Sequence, residues 1–182
     1  MNLPNKITVG RFFAIPLFLL ALIYYKRSGE QVHYFAALFI FALAAISDGL
    51  DGCIARSRNM KTNLGAVLDP IADKLMLNSA IILLAYGIGD LYQIPIWFAV
   101  LVVSRDLLIV GGALVIRWFK GDLQVKPCWW GKIEAVLQMG VVIWVLLKLP
   151  WPEIILAAAL FFLIASGISY LRDGVRQLES GS

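Results

Sequence analysis

The sequence is poor in charge. Only 15% of its 182 residues are Asp, Glu, Lys or Arg, against about 25% in ordinary soluble domains. It is also poor in cysteine and histidine, with two and one. Cys53 and Cys128 lie in different segments without metal-ligand spacing. Neither zinc nor a disulfide is expected, and both read as packing residues. The shortage of charge excludes a disordered chain, and the shortage of cysteine excludes a stapled miniprotein. Apolar side chains take up the difference: 60% of residues are hydrophobic and the mean hydropathy is +0.81. A soluble globular domain is excluded too, which leaves an integral membrane protein.

A membrane span takes about 20 apolar residues. Six apolar segments can be read, at about residues 8–25, 33–55, 64–88, 94–119, 131–149 and 152–171. Gly29, Gly87, Gly89, Pro95, Gly121, Pro127 and Pro150 mark their joints. The expected fold is all-α and membrane-embedded: one domain over residues 1–182, a six-transmembrane-helix bundle with a short interfacial segment at residues 1–7. The first apolar run ends in Tyr24-Tyr25-Lys26-Arg27 with no small-residue cleavage site, so it is expected to stay as a span.

The net charge is +4. Lys6, Arg11, Arg56, Arg58, Lys61, Arg117, Lys120, Lys126, Lys132, Arg172 and Arg176 fall on one side of the expected bundle, and Lys26, Arg27 and Lys148 on the other. That asymmetry predicts both termini in the cytoplasm; the expected location is a bacterial-type cytoplasmic membrane, with the active site on the cytoplasmic side. The asymmetry also accounts for the basic balance without a nucleic-acid partner, since no basic stretch carries interleaved aromatics. Trp97, Trp118, Trp129, Trp130 and Trp151 fall near span ends, as an interfacial aromatic belt does.

The informative residues are the charges left inside the apolar segments: Asp48, Asp51, Asp69, Asp73, Lys74, Arg105, Asp106 and Glu134. Each costs roughly 2.5–3.5 kcal/mol at the centre of a lipid-facing helix. They should therefore face the bundle interior, as a functional site does. Asp48 and Asp51 are three residues apart on the second segment, and Asp69 and Asp73 four apart on the third. On helices each pair shares a face. A short loop makes the two helices antiparallel, so the faces can converge. Four converging carboxylates need cations to stay ionised. An oxygen-only site suits hard divalent ions such as Mg²⁺ or Mn²⁺. The bland alternative is an ion-pair network with Lys74, Arg56 and Arg105. Gly52 and Ala55 accompany the first pair and Gly65 the second, small enough for a ligand to approach the backbone or for close helix packing.

Asp48-Gly-Leu-Asp51-Gly52-Cys-Ile-Ala55-Arg56, then eight residues, then Gly65-Ala-Val-Leu-Asp69-Pro-Ile-Ala-Asp73 resembles the CDP-alcohol phosphatidyltransferase signature D-x-x-D-G-x-x-A-R-x8-G-x3-D-x3-D. All eight fixed positions match with the right gaps. The family is a six-helix membrane bundle of about this length, so the likeness covers nearly the whole chain.

The resemblance implies transfer of a phosphatidyl group from CDP-diacylglycerol to an alcohol, with release of CMP. It implies two divalent ions, Mg²⁺ or Mn²⁺, held by Asp48, Asp51, Asp69 and Asp73, with Asp73 also the general base. By the same likeness Gly52, Ala55, Arg56 and Gly65 contact the cytidine nucleotide, and Thr62 in the same loop joins them. A homodimer is carried over with the family.

Two branches share the N-terminal Asn2-Leu-Pro4-Asn5-Lys-Ile-Thr8-Val-Gly-Arg11 pattern: the phosphatidylglycerophosphate synthases and the cardiolipin synthases. Arg105 and Lys132 are similar to residues that hold an acceptor phosphate, with Lys126 a weaker candidate. The competing reading of Arg105 is an ion pair with Asp106 or Glu134. Glycerophosphate-using members usually show Gly-Lys-x-Lys-Thr where this chain has Gly131-Lys132-Ile-Glu134-Ala135, and Arg-Glu where it has Arg105-Asp106. Those departures favour the less charged acceptor, phosphatidylglycerol; length and N-terminus favour glycerol 3-phosphate, which is kept first. Two other readings of the intramembrane acids are a non-enzymatic cation carrier and a purely structural subunit.

Overall fold

The computed structural model describes the backbone of residues 3–58, 63–120 and 129–179, and the side chains of residues 10–47, 71–112, 118, 129–170 and 172. Among the described residues there are six α-helices and no strand. They are α1 (Leu3–Ser28), α2 (Gln31–Arg58), α3 (Asn63–Ala85), α4 (Ile96–Lys120), α5 (Trp129–Leu146) and α6 (Pro152–Glu179). Residues 3–7, expected to stand apart as an interfacial segment, continue α1.

Two compact units divide the chain. The first is Met1–Ile94 with Leu146–Lys148; the second is Pro95–Val145 with Leu149–Ser182.

In the first unit, α1, α2 and α3 each turn an apolar stripe inward. Phe18, Leu22 and Tyr25 on α1 recur at helical spacing, as do Tyr34, Ala37, Phe41 and Ala44 on α2, and Ala72, Met76, Ala80 and Leu84 on α3. The alanines let helices approach closely, and aromatic rings fill the remaining space: Phe18 and Phe41 pack with centroids 5.4 Å apart, Tyr25 and Tyr34 at 5.5 Å. Gly29 in the left-handed region ends α1, its N–H donating to Tyr25 O at 2.9 Å.

Beyond the C-terminus of α1 the first unit is closed by a polar clamp. The Tyr25 hydroxyl donates to Asp90 Oδ1, and the Lys148 ammonium donates to Asp90 Oδ2 at 2.7 Å. Lys148 also stands 4.7 Å from the Tyr34 ring centroid, a cation–π distance. The Tyr34 hydroxyl donates to Leu146 O at 2.6 Å, which fixes the Leu146–Lys148 segment to this unit.

The second unit repeats the inward stripe with Phe98 and Val102 on α4, Val141, Val142 and Val145 on α5, and Leu156, Ala159 and Leu163 on α6. On every helix the opposite faces are apolar and exposed: Phe13, Leu17, Phe35, Phe39, Ile71, Leu75, Leu107, Leu108, Val136, Ile154, Phe161 and Ile168 among them. Water does not tolerate so much exposed hydrocarbon, and lipid does. Among the described residues two helices are long and apolar enough by themselves to cross a membrane, over Trp129–Leu146 and Pro152–Tyr170. The chain is membrane-associated in character.

Two expectations follow. Gly89 has φ of +53°, and a Cβ there would lie 3.0 Å from Tyr25 Cε1. Gly89→Ala should cost about 1–2 kcal/mol from backbone strain alone, read as a lowered midpoint of thermal unfolding in detergent; an unchanged midpoint contradicts the clamp as drawn. The hydrogen bond from Lys148, and after it that from Tyr25, holds the Asp90 carboxyl below its ordinary 3.8. Its contribution to stability is complete above that value and is lost as pH falls through the lowered one. Lys148→Gln should remove that acid-labile component, checked by unfolding midpoints across the acid range.

Candidate active site

The signature spans the end of α2 and the start of α3. Asp48, Asp51, Gly52, Ala55 and Arg56 are on α2, and Gly65 and Asp69 on α3; their side chains lie outside the described residues. Thr62 and Lys126 lie outside the described residues altogether. Asp73, one turn beyond Asp69, is described.

Asp73 is half-buried and ion-paired with Arg11, whose Nη1 donates to Asp73 Oδ1. Arg11 is only 3% exposed. The pair joins α1 to α3 and lies about 20 Å along α1 from the Tyr25 clamp, at 1.5 Å per residue. Arg11 was not among the expected site residues, only among the cytoplasmic cations. The signal was present: a guanidinium inside the first apolar segment needs a buried partner.

Among the described residues no three His, Cys, Asp or Glu side chains gather as a metal site. Of the four expected ligands only Asp73 is among them. Its hard carboxylate oxygens suit Mg²⁺ or Mn²⁺.

The second unit holds a polar cluster in its interior. Arg105 on α4, Glu134 and Gln138 on α5, and Ser166 on α6 continue the inward stripes of their helices and are buried, as is Asp106. Arg105 Nη1 donates to Asp106 Oδ1 at 2.9 Å; its Nη2 donates to Ser166 Oγ at 2.8 Å and is ion-paired with Glu134 Oε2. Gln138 Nε2 donates to Glu134 Oε1 and the Ser166 hydroxyl to Glu134 Oε2, each at 2.9 Å. The guanidinium also lies over the Tyr170 ring, 5.4 Å from its centroid. Gly131 permits this approach: a Cβ there would meet Tyr170 Oη at 3.2 Å and Arg105 Nη2 at 3.7 Å.

Arg105 and Lys132, expected together, are not brought together by α5. Lys132 is two residues before Glu134, which puts it on the far side of the helix, and it is exposed while Glu134 is buried. The ion pairing of Arg105 with both Asp106 and Glu134 is what the competing reading of that residue expects.

The Arg11–Asp73 pair is testable by itself. Arg11→Leu should lower stability by roughly 1–3 kcal/mol, between the exposed-pair and buried-pair ranges, and Arg11→Lys by less. Thermal unfolding in detergent measures both; equal midpoints for all three proteins would contradict the pairing.

The CDP-alcohol phosphatidyltransferase family model matches residues 1–165. The chain is 36% identical to a probable phosphatidylglycerophosphate synthase of Mycobacterium tuberculosis, over 98% of this chain and 87% of that one. It is 31% identical to the CDP-diacylglycerol–glycerol-3-phosphate 3-phosphatidyltransferase of Bacillus subtilis, over 100% and 99%. It is 34% identical to the protein of that same description in Pseudomonas fluorescens, over 93% and 85%.

Proposed function

The chain belongs to the CDP-alcohol phosphatidyltransferase family, and from that premise we propose that it transfers the phosphatidyl group of CDP-diacylglycerol to glycerol 3-phosphate, giving phosphatidylglycerophosphate and CMP. It is a phosphatidyltransferase by family. The choice of acceptor is carried by the near full-length likeness to glycerol-3-phosphate phosphatidyltransferases.

In this reading Asp73 accepts the proton of the acceptor hydroxyl. The hydroxyl oxygen forms a bond to the phosphatidyl phosphorus, the bond from that phosphorus to the bridging pyrophosphate oxygen breaks, and CMP leaves carrying the bridging oxygen. A positioned carboxylate base contributes about 10²–10⁴-fold. Arg11 holds Asp73 toward α1. Asp48, Asp51, Asp69 and Asp73 would hold two divalent ions, Mg²⁺ or Mn²⁺, which when bound supply charge stabilisation to the attacking and leaving oxygens. Gly52, Ala55, Arg56, Thr62 and Gly65 are assigned to the cytidine nucleotide; the planar fork of Arg56 suits phosphate oxygens. Arg105 is assigned to the acceptor phosphate.

The donor joins a nucleotide to two acyl chains, so its reacting centre belongs at a membrane interface. Six spans with both termini in the cytoplasm put the signature there, at the ends of α2 and α3. The exposed apolar faces of all six helices support that arrangement. A homodimer is part of the proposal.

Asp73→Asn tests the chemistry. CMP release from CDP-diacylglycerol should fall at least about 10²-fold in protein that keeps its helical circular dichroism and its elution volume. Release within tenfold of the parent would remove Asp73 from the role of base.

A further inference from the structure

Glu134 puts a carboxylate into the interior of the second unit. That carboxylate is 1% exposed and ion-paired with Arg105, the guanidinium assigned above to the acceptor phosphate. Gln138 and Ser166, both buried, hold its two oxygens at 2.9 Å. Glu134 is therefore locked onto Arg105 by its neighbours and does not swing freely.

A carboxylate and a phosphate compete for the same N–H donors. Nη1 of Arg105 is engaged by Asp106 and Nη2 by Ser166 and Glu134, while Nε is buried with no hydrogen-bond partner among the described residues. An acceptor phosphate reaching this guanidinium meets a seated carboxylate beside it. A phosphomonoester brings up to two negative charges to that place and a phosphodiester brings one. Like charges at such spacing repel strongly away from bulk water.

We infer that Glu134 is a specificity-determining residue: by occupying Nη2 of Arg105 it weakens the hold on a doubly charged phosphomonoester acceptor relative to a singly charged phosphodiester one. The inference rests on the reading of Arg105 as an acceptor-phosphate contact. Glu134 acts through Arg105 and touches no reacting atom.

The test is steady-state kinetics of the full chain in mixed micelles, with CDP-diacylglycerol as donor and either glycerol 3-phosphate or phosphatidylglycerol as acceptor. Glu134→Gln keeps the volume and the oxygen that accepts from Ser166 or Gln138, and removes the charge. The KM for glycerol 3-phosphate should fall roughly ten- to hundredfold, the scale of a charge-assisted hydrogen bond. The KM for CDP-diacylglycerol should move by less than about twofold on the same scale. A purely structural Glu134 would shift both KM values together or lower kcat alone, and either result overturns the inference, as does an unchanged or raised KM for glycerol 3-phosphate.

If Glu134→Gln does not fold, Glu134→Asp carries the test. It keeps the charge but draws it back by one methylene, and the KM for glycerol 3-phosphate should fall by a smaller factor; no fall overturns the inference. The parent chain separates the two readings. If it makes no phosphatidylglycerophosphate but Glu134→Gln does, the proposed acceptor is wrong and the role of Glu134 stands. If it makes phosphatidylglycerophosphate with a KM that Glu134→Gln leaves unchanged, the acceptor stands and the role of Glu134 falls.

Discussion

A charge inside an apolar helix bundle has to be paired, and the arrangement of this chain follows from that requirement. Transferring an ion from water to such surroundings costs several kcal/mol even after relaxation. Arg11 is almost wholly buried on α1, and the half-buried Asp73 on α3 is its partner. The bond between them fixes the register of the first and third helices beside the signature carboxylates. Breaking it would take a carboxylate partner from a buried guanidinium, so the first unit has a strong reason to keep that register. The second unit solves the same problem with Arg105, set among Asp106, Glu134, Ser166 and the Tyr170 ring. In each unit a structural necessity places a cation beside a carboxylate on another helix, and chemistry can then use what stability requires.

The opposite end of the first unit has a different task. Tyr25, Asp90 and Lys148 form a partly exposed clamp, with Lys148 also set over the Tyr34 ring. Lys148 and Trp151 both take positive φ, and Trp144 Nε1 donates to Pro150 O at 2.9 Å within the second unit. The link between α5 and α6 is therefore a tight, well-bonded turn. It plays no part in the proposed transfer reaction.

Much of the fold and part of the site were legible in the sequence, for physical reasons. Apolar runs separated by Gly and Pro mark helices whatever their partners, so all six helices were readable. Their ends were less so. Hydropathy stops where lipid stops, but a helix continues into water: α6 runs to Glu179, eight residues past its apolar segment, and α1 starts at Leu3. Conversely α3 ends at Ala85, before the positive-φ Gly87, although the apolar run continues to residue 88. The signature was legible because its residues lie within 26 positions at fixed gaps. The partner of Asp73 was not, because Arg11 is 62 residues away and no local periodicity sets the register between helices. Glu134 was readable as a departure from a pattern, but its seat on Arg105 depends on how α4, α5 and α6 pack.

The account stands or falls on the lipid the chain makes. The decisive measurement is mass spectrometry of the product from purified protein in liposomes, supplied with CDP-diacylglycerol and glycerol 3-phosphate, with and without Mg²⁺ or Mn²⁺. The account predicts phosphatidylglycerophosphate and an equal amount of CMP, both dependent on the divalent ion. No phosphatidylglycerophosphate with either ion, or cardiolipin formed from added phosphatidylglycerol in its place, would contradict it.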